Sequence, residues 1–444
     1  MVVLYGRGSR ISGETTAPSP ADTAAQAPIG TLGIEQIIQR RLIRAEFQPI
    51  VWLDSAGAVA YEAYARPPVG SQFTSPLAMV EAARQADLLA EFDQTAHAAA
   101  YKAALDARLN PSLSLFVNAD PAVLGGEMSK DFVGIVALAL TKLRILIEVS
   151  EQQLAANPAA ALAGIARARA CGWGISWDHL GATPDSLALM PFVQPDVVKL
   201  HVSLVQDRFH PDAAQVVNAV IAYAERTGAS IMATGIETRE HLATARGLGA
   251  RLGQGYLFGK PGALPHDTKA PTRAVPLVAK YEEPDTVATP FEIYSREREP
   301  APASLTMLQG LAHHLEERSS IDPEPVVLVT SLPEPELISG GPVARLRMIA
   351  RNAAFVAALL GEPDQRPISG VRTAPIARDD AMRDEWNLAI VGPHFAALVT
   401  ARRNAAATDP NEAVTYGLTY DRPLVLKAAR SLLQRFSAAA GHDS

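Results

Sequence analysis

Short apolar runs typical of buried strands alternate with Ala-rich amphipathic helices through the first half of the chain. Such regular alternation predicts parallel strands joined by crossover helices, and eight strands with their helices fill a (β/α)8 barrel of about 250 residues. The fold class predicted is therefore α/β, with a TIM-like barrel. The predicted strands are Phe47–Val51, Val59–Arg66, Leu113–Asn118, Arg144–Val149, Trp173–Asp178, Val197–His201, Ser230–Gly235 and Arg251–Phe258.

The remaining length requires more than the barrel, because 444 residues exceed one domain of ordinary size. We expect a disordered leader at 1–30, the barrel at 31–263, a linker at 264–300 and a second, smaller α/β domain at 301–440. The leader is rich in Ala, Thr, Pro and Ser without apolar periodicity. The linker has repeated prolines, and the short apolar run Phe291–Tyr294 predicts that part of it is ordered.

The second domain is predicted from fewer elements than the barrel. The pattern indicates strands at Pro325–Thr330 and Asn387–Val391, and helices over Ser304–Arg318, Pro342–Leu360 and Arg422–Ala438.

Composition excludes several classes of partner. The formal net charge is −7 and the pI about 5.8, which gives no electrostatic footprint for direct nucleic-acid binding or for an anionic membrane. The best membrane candidate, Phe132–Val149, is interrupted by Lys142 and Arg144. Cys171 is the only cysteine, so no intramolecular disulfide can form, and we interpret it as a buried structural thiol in a cytoplasmic protein.

Polar residues recur at the carboxyl ends of the predicted strands, where active sites of such barrels lie. Glu62, Asn118, Glu148 and Asp178 offer only oxygen ligands, which suit Mg²⁺ or Mn²⁺. Lys199 could orient a water molecule. The first hypothesis is therefore metal-assisted phosphoester hydrolysis, with Arg66 holding a phosphate. The alternative for each carboxylate alone is an ordinary solvated strand end.

The same residues, taken in order, resemble the EAL domain, the cyclic di-GMP phosphodiesterase barrel, over about residues 33 to 261. Each motif alone is weak, but together they are specific. The matching motifs are Phe47–Val51, Glu62-Ala63-Tyr64-Ala65-Arg66 in place of Glu-Ala-Leu-Leu-Arg, Phe116-Val117-Asn118, Glu148–Glu151, Val198-Lys199-Leu200 and Gln254–Pro261.

The resemblance also implies a degenerate active site. Where the family carries Asp-Asp-Phe-Gly, Lys-Ile-Asp and Ala-Glu-Gly-Val-Glu, this chain places His179, His201 and Thr234 at acidic positions. Two-metal hydrolysis needs those anions to assemble the cations and to acidify the attacking water. We therefore expect severely impaired hydrolysis. A rival hypothesis makes His179 and His201, beside Asp178, a nitrogen-rich metal site.

What the resemblance implies for individual residues follows from the same motifs. The ligand-binding residues would be Gln48, Glu62, Arg66, Asn118, Asp178 and Gln254. A single retained position for Mg²⁺ or Mn²⁺ would use Glu62, Asn118, Glu148 and Asp178, and no cofactor is certain. Lys199 and Glu237 would be vestigial catalytic residues.

The carboxy-terminal part, about Ala301 to Phe436, resembles a DICT sensory domain on the Pro325–Ser331 strand and the Trp386–Leu398 segment. The whole chain then implies a regulatory EAL-DICT protein that binds cyclic di-GMP or a protein partner without efficient hydrolysis. Two rivals remain: a slow metal-dependent phosphodiesterase, and a protein-interaction module that has lost the nucleotide. EAL barrels commonly pair through their helices, so the resemblance also implies a homodimer.

Overall fold

The structure, a computed structural model, describes residues 32–124, 129–181, 186–207, 211–278, 288–321, 324–333, 341–361, 368–405 and 407–436. The predicted leader at 1–30 lies outside these residues.

Eight strands of the described chain close into a barrel in sequence order, which confirms the predicted fold class. Strands β2 to β8 run parallel, but β1 is antiparallel to both of its neighbours, β2 and β8. This departure from a regular (β/α)8 barrel has a local cause: β1 and β2 are joined by a tight hairpin, closed by a hydrogen bond from Trp52 N to Gly57 O, with no crossover helix between them. The strands are β1 Arg44–Trp52, β2 Ala58–Arg66, β3 Ser114–Asn118, β4 Arg144–Val149, β5 Gly174–Leu180, β6 Val197–Leu200, β7 Ser230–Ala233 and β8 Leu252–Gln254.

Several helices around the barrel begin at polar caps that accept backbone N–H groups. Ser75 caps α2 through Ala78 N, Thr238 caps α10 through His241 N, and Ser150 and Gln153 form a capping box on α5. The helices are α1 Ile34–Gln39, α2 Pro76–Gln85, α3 Leu89–Asp106, α4 Val133–Lys142, α5 Glu151–Ala156, α6 Pro158–Ala170, α7 Ser186–Val193, α8 Val202–Gln206, α9 Pro211–Thr227 and α10 Arg239–Gly247.

The base of the barrel is sealed by part of the segment predicted as a linker. Val275 is fully buried against the inward-facing strand residues, and Arg144 donates to its carbonyl. The buried carboxylate of Asp196 accepts hydrogen bonds from the backbone N–H groups of Ile175 and Val278. Residues 273–278 are therefore part of the barrel core rather than a free connection.

A seven-stranded mixed sheet follows, in the order β12-β11-β10-β13-β14-β15-β9, with helices on both faces. The predicted helix Pro342–Leu360 is wrong beyond Ile349, because its second half forms strand β11. Short apolar runs such as Phe355–Leu360 fit a buried strand as well as a helix. The elements are β9 Ala301–Ala303, β10 Val327–Leu332, β11 Phe355–Leu360, β12 Arg372–Pro375, β13 Glu385–Val391, β14 Ala396–Arg403, β15 Val414–Thr419, α11 Pro290–Glu297, α12 Leu305–Ile321, α13 Pro342–Ile349 and α14 Arg422–Leu433.

The sheet unit contacts the barrel through two arginines that bind carbonyl groups at helix ends. Arg430 of α14 donates to Phe192 O at 2.7 and 3.1 Å, at the end of α7. Arg372 of β12 donates to Ala155 O and Ala156 O at 2.8 and 2.6 Å, at the end of α5. Because carbonyls at helix ends lack intrahelical donors, these arginines act as caps supplied by the second unit.

Two further expectations concern the chain as a whole. Among the described residues, no helix has the length and apolar character needed to cross a membrane. Cys171 is exposed at the end of α6, so its interpretation as a buried thiol was wrong. The helix ends at that residue, which places the thiol outside the apolar face.

Candidate functional site

Strands β2 to β6 each deliver one candidate side chain to the same mouth of the barrel. Asn118 is in register with Glu148 on the next strand, and Glu148 is in register with Ser176, two residues before Asp178. Since side chains two residues apart on a strand share a face, these positions point the same way. The inward alternation on β2 brings Glu62, Tyr64 and Arg66 to the mouth as well.

The centre of the site is the ammonium group of Lys199, which three carboxylates surround. Its Nζ lies 2.6 Å from Oε1 of Glu148, 3.0 Å from Oε2 of Glu62 and 3.3 Å from Oδ1 of Asp178. Lys199, Glu62 and Glu148 are all buried. The structure thus brings these four predicted residues together, and the metal-binding role expected of Glu62, Asn118, Glu148 and Asp178 stays a prediction.

Charge and burial act in opposite directions on these groups. Burial raises the pKa of Glu148, and the adjacent Glu62 carboxylate raises it further. Burial would raise the pKa of Asp178 as well, but the charges of Lys199 and His179 hold it below its ordinary value. Burial alone would lower the pKa of Lys199, and the three carboxylates raise it well above its usual range. The ammonium is therefore firmly protonated.

The carboxylate oxygens of the site are of the kind that bind a divalent cation, but their present arrangement around Lys199 does not fit one. Carboxylate oxygens suit Mg²⁺ or Mn²⁺, and Oε2 of Glu148 is buried without a hydrogen-bond partner. However, Nζ of Lys199 is within ion-pairing distance of all three carboxylates, so a metal ion would have to displace the ammonium. No group of three or more His, Cys, Asp or Glu residues is arranged as a metal site in the described chain.

His179 occupies a distorted point of strand β5. The register of β5 with β6 shifts between Trp177 and Leu180, and His179 has a φ of 59°, in the left-handed region. This bulge allows consecutive side chains to meet: Nδ1 of His179 lies 2.8 Å from Oδ2 of Asp178. Burial would lower the pKa of His179, but the contact with Asp178 raises it.

The other two replacements make their hydrogen bonds to nearby chain atoms. Nδ1 of His201 accepts from Ser203 N at 3.3 Å and contacts Ser203 Oγ at 2.8 Å, and the hydroxyl of Thr234 donates to Leu200 O at 2.8 Å. Burial and the neighbouring His179 lower the pKa of His201. The ring centroids of His179 and His201 are 6.1 Å apart. The structure thus does not assemble the nitrogen-rich metal site of the rival hypothesis.

Tyr64 connects the two glutamines of the expected ligand cradle. Its hydroxyl lies 3.2 Å from Oε1 of Gln48 and 3.1 Å from Nε2 of Gln254. Gln254 Nε2 also donates to Oε2 of Glu62 at 2.8 Å, and Gln48 Nε2 donates to Gly259 O at 3.0 Å. Burial and the carboxylate of Glu62 raise the pKa of Tyr64 well above its usual value, so the phenol is protonated.

Arg66, the expected phosphate ligand, is partly engaged by the protein. Its Nε donates to Oε2 of Glu46 at 2.7 Å, and its guanidinium lies 5.4 Å from the ring centre of Tyr64. The side chain is 23% exposed, which leaves it accessible at the mouth. Because the ion pair uses Nε, the terminal nitrogens can still hold a phosphate.

Helix α3 supports Asn118 from behind. Nε2 of His97 lies 2.8 Å from Asn118 O, and Oδ2 of Asp93 lies 3.4 Å from Asp120 N. Asp93, His97 and Asn118 line a cavity of about 30 Å³ between α3 and the barrel strands. Burial raises the pKa of Asp93 to about 6.

Sequence reasoning and structure differ at several positions. Glu237 is exposed, and among the described contacts its backbone N–H meets Nδ1 of His241, so it stands apart from the carboxylate cluster. The contacts made by Tyr64, Glu46 and His97 were not foreseen. The alternation on β2 could have identified Tyr64, because it shares a face with Glu62; nothing in the sequence signals the other two contacts.

The barrel resembles a known protein family and several curated proteins in sequence. A family model described as EAL domain matches residues 34–261, about half of the chain. The cyclic di-GMP phosphodiesterase RocR of Pseudomonas aeruginosa is 30% identical over 161 residues, 35% of this chain and 40% of that protein. The probable cyclic di-GMP phosphodiesterase PdeB of Escherichia coli K12 is 27% identical over 243 residues, 53% of this chain and 45% of that protein. The matches thus span less than half of either curated relative.

Solved structures also resemble the chain. A calcium and cyclic di-GMP complex of BlrP1 from Klebsiella pneumoniae is 28% identical, with a TM-score of 0.44, covering 50% of this chain and 56% of that one. A manganese and cyclic di-GMP complex of the same protein is 27% identical, with a TM-score of 0.43 and the same coverage.

Proposed function

We propose that this chain, which belongs to the EAL domain family, is a regulatory receptor that binds cyclic di-GMP without hydrolysing it efficiently. Its relative RocR is named a cyclic di-GMP phosphodiesterase and its relative PdeB a probable one, which supports cyclic di-GMP as the ligand. The impairment of hydrolysis is inferred from the residues of this chain alone.

The observation that carries the proposal is the ammonium of Lys199 among the three carboxylates. A buried cation already pairs with Oε2 of Glu62 and Oε1 of Glu148, and the acids that would hold a second cation are replaced by His179, His201 and Thr234. Without two metal ions, nothing in this arrangement lowers the pKa of an attacking water. A site of this kind can hold a nucleotide but lacks the means to activate its hydrolysis.

Nucleotide binding requires less than hydrolysis does. Gln48, Gln254 and Arg66 are present at the mouth and their side chains are held in defined orientations. A guanidinium can neutralise a phosphate without metal, and such charge-assisted hydrogen bonds contribute about 1.5 to 3 kcal/mol each. The proposal is therefore that cyclic di-GMP binds in the absence of divalent ions.

The test is calorimetric titration of the full chain with cyclic di-GMP in EDTA. Arg66→Ala should weaken binding by about 10-fold or more, because it removes a charge-assisted contact to phosphate. Arg108→Ala, at an exposed arginine whose side chain is 80% accessible, is the control and should leave the affinity unchanged. Equal affinities of both variants and the wild type would contradict the assigned role of Arg66.

A second candidate is a slow phosphodiesterase, favoured by the unpartnered Oε2 of Glu148, which is the kind of buried anionic oxygen that a cation would satisfy. Formation of the linear dinucleotide in manganese, but not in EDTA, would establish it.

The sheet unit, most of which lies within the proposed domain at 301–440, is the proposed sensory half of the protein, on its likeness to a DICT domain. Arg430 and Arg372 support direct coupling, since they bind the ends of α7 and α5. The opposite ends of these helices meet the site: Ser186 O accepts from Trp177 Nε1, and Gln153 Nε2 donates to Ala119 O. A signal that shifts the sheet unit can thus reach residues adjacent to Asp178 and Asn118.

A homodimer or a protein partner is also part of the proposal. Helix α4 supports it, because Val133, Leu138 and Leu140 are 52%, 46% and 40% exposed on an almost uncharged helix. Leu138→Glu should dissociate a dimer in light scattering if α4 pairs with a second copy, whereas an unchanged mass would exclude that contact.

A further inference from the structure

We infer that Tyr64, where the family signature has leucine, is a positioning residue that joins the two cradle glutamines and occupies the second N–H of Gln254, so that Gln254 presents its carbonyl oxygen to the ligand. The inference concerns the geometry of the free protein, and its consequence for ligand choice rests on the proposed function. It follows from the direction of each hydrogen bond in the series that runs from Glu62 through Gln254, Tyr64 and Gln48 to Gly259.

One end of this hydrogen-bond series is the carboxylate of Glu62, which can only accept hydrogen bonds. The carboxylate of Glu62 accepts a hydrogen bond from Lys199 and another from Gln254, so the atom of Gln254 that faces it at 2.8 Å must be the nitrogen Nε2. The same nitrogen lies 3.1 Å from the Tyr64 hydroxyl. Both N–H groups of Gln254 are therefore used within the protein.

The other end is fixed in the same way. The carbonyl of Gly259 can only accept, so Nε2 of Gln48 faces it at 3.0 Å and Oε1 of Gln48 faces Tyr64 at 3.2 Å. The Tyr64 hydroxyl accepts from Gln254 and carries one proton, for which Oε1 of Gln48 at 3.2 Å and the carboxylate of Glu62 are both acceptors. With either acceptor, the hydroxyl oxygen occupies the second N–H of Gln254.

The direction of these hydrogen bonds determines which polar atoms of Gln254 and Gln48 remain available to a ligand. The polar atom of Gln254 left over is Oε1, an acceptor, while Gln48 keeps one N–H donor. An acceptor repels a phosphate oxygen and binds an N–H or O–H donor. In cyclic di-GMP, such donors are the guanine N1–H and N2–H groups and the ribose 2′-hydroxyls. Removing the Tyr64 hydroxyl would free one N–H of Gln254 while the other stays on Glu62, so the amide would then offer a donor as well as its carbonyl oxygen.

The free protein provides the first test, by NMR of the side-chain amides of Gln48 and Gln254, assigned from Gln48→Met and Gln254→Met. Tyr64→Phe should shift the amide resonances of Gln48 and Gln254 and accelerate hydrogen exchange at Gln254 by about 10-fold, because the hydroxyl contact is worth about 1 kcal/mol or more. Tyr223→Phe is the control, since it removes another buried hydroxyl, bonded to Pro195 O. Unchanged resonances in Tyr64→Phe would overturn the inference.

The second test measures ligand choice in EDTA, using cyclic di-GMP, cyclic di-AMP and the bis-2′-deoxy analogue of cyclic di-GMP. Tyr64→Phe should weaken cyclic di-GMP by about 10-fold but weaken the analogue that lacks the recognised donor by less than about 2-fold. Cyclic di-AMP identifies the guanine edge, and the deoxy analogue identifies the ribose hydroxyl. Equal weakening of all three ligands would mean a merely structural role and would overturn the inference. If the wild type binds none of them, the proposed function is wrong, and the NMR result alone decides the role of Tyr64.

Discussion

The ammonium of Lys199 lies 2.6 Å from Oε1 of Glu148, so a side chain of the protein stands where a divalent cation would have to bind. Two further carboxylates, those of Glu62 and Asp178, share the same ammonium. This relationship explains why the carboxylates can remain buried together.

The variant Lys199→Met tests the pairing of the Lys199 ammonium with the three carboxylates. Removing one partner of a buried ion pair costs about 3 to 5 kcal/mol, because uncompensated charges remain. Mn²⁺ should then raise the melting temperature of the variant while leaving the wild type unchanged, since the ion replaces the lost cation. Lys102→Met removes an exposed lysine, 68% accessible, and should show neither effect. An equal shift by Mn²⁺ in wild type and Lys199→Met would contradict the account.

Restoring the three family acids should restore a cation site. The triple variant His179→Asp, His201→Asp and Thr234→Glu is expected to gain manganese-dependent conversion of cyclic di-GMP to the linear dinucleotide, because the missing anions are returned. The left-handed φ of 59° at position 179 tolerates Asp, which adopts that conformation more readily than most residues. Chromatography of the product checks this, with Asp106→Asn, at a carboxylate 63% exposed and outside the site, as the control. A triple variant as inactive as the wild type would show that the lost acids do not explain the impairment.

The sequence predicted the barrel well because its strands carry apolar runs and the connections after β2 carry periodic helices. It also predicted the meeting of Glu62, Glu148, Asp178 and Lys199, since carboxyl ends of parallel strands converge. It could not predict the role of Tyr64, which depends on the distance between β1 and β8. The sheet unit was harder to predict, because strands such as β9 and β12 are only three and four residues long, and β9 pairs with the distant β15.

Breaking the contact between the sheet unit and α7 should loosen the protein locally. Arg430→Ala leaves carbonyls at the end of α7 without donors, which should lower the free energy of unfolding by about 1 to 3 kcal/mol. Hydrogen exchange should increase in α7 and near Trp177, the residue bonded to Ser186. Lys427→Ala, on an exposed position of the same helix, is the control. Increased exchange confined to α14 would argue against coupling through α7.

Asp93 should make stability depend on pH. Its pKa in the folded protein is about 6, against about 3.9 when unfolded, so the folded state binds the proton more tightly. Stability from this group is complete below about pH 4 and falls by up to about 3 kcal/mol as pH rises through 6.

Asp93→Asn removes this titration. The stability of the wild type relative to Asp93→Asn should therefore decline between about pH 4 and 6.5 and then remain constant, as measured by urea unfolding. Asp106→Asn, at a carboxylate 63% exposed, should give a nearly flat difference. A flat difference for Asp93→Asn as well would mean that its carboxyl is hydrated in the folded protein.

The central claim is tested most directly by titrating the purified full chain with cyclic di-GMP, in EDTA and in manganese, and then analysing the nucleotide recovered from the same cell by chromatography. The account predicts binding of similar affinity in both conditions and recovery of intact cyclic di-GMP, because Lys199 supplies the cation and the lost acids leave no second metal position. Linear dinucleotide in the manganese sample, or binding that requires manganese, would contradict it.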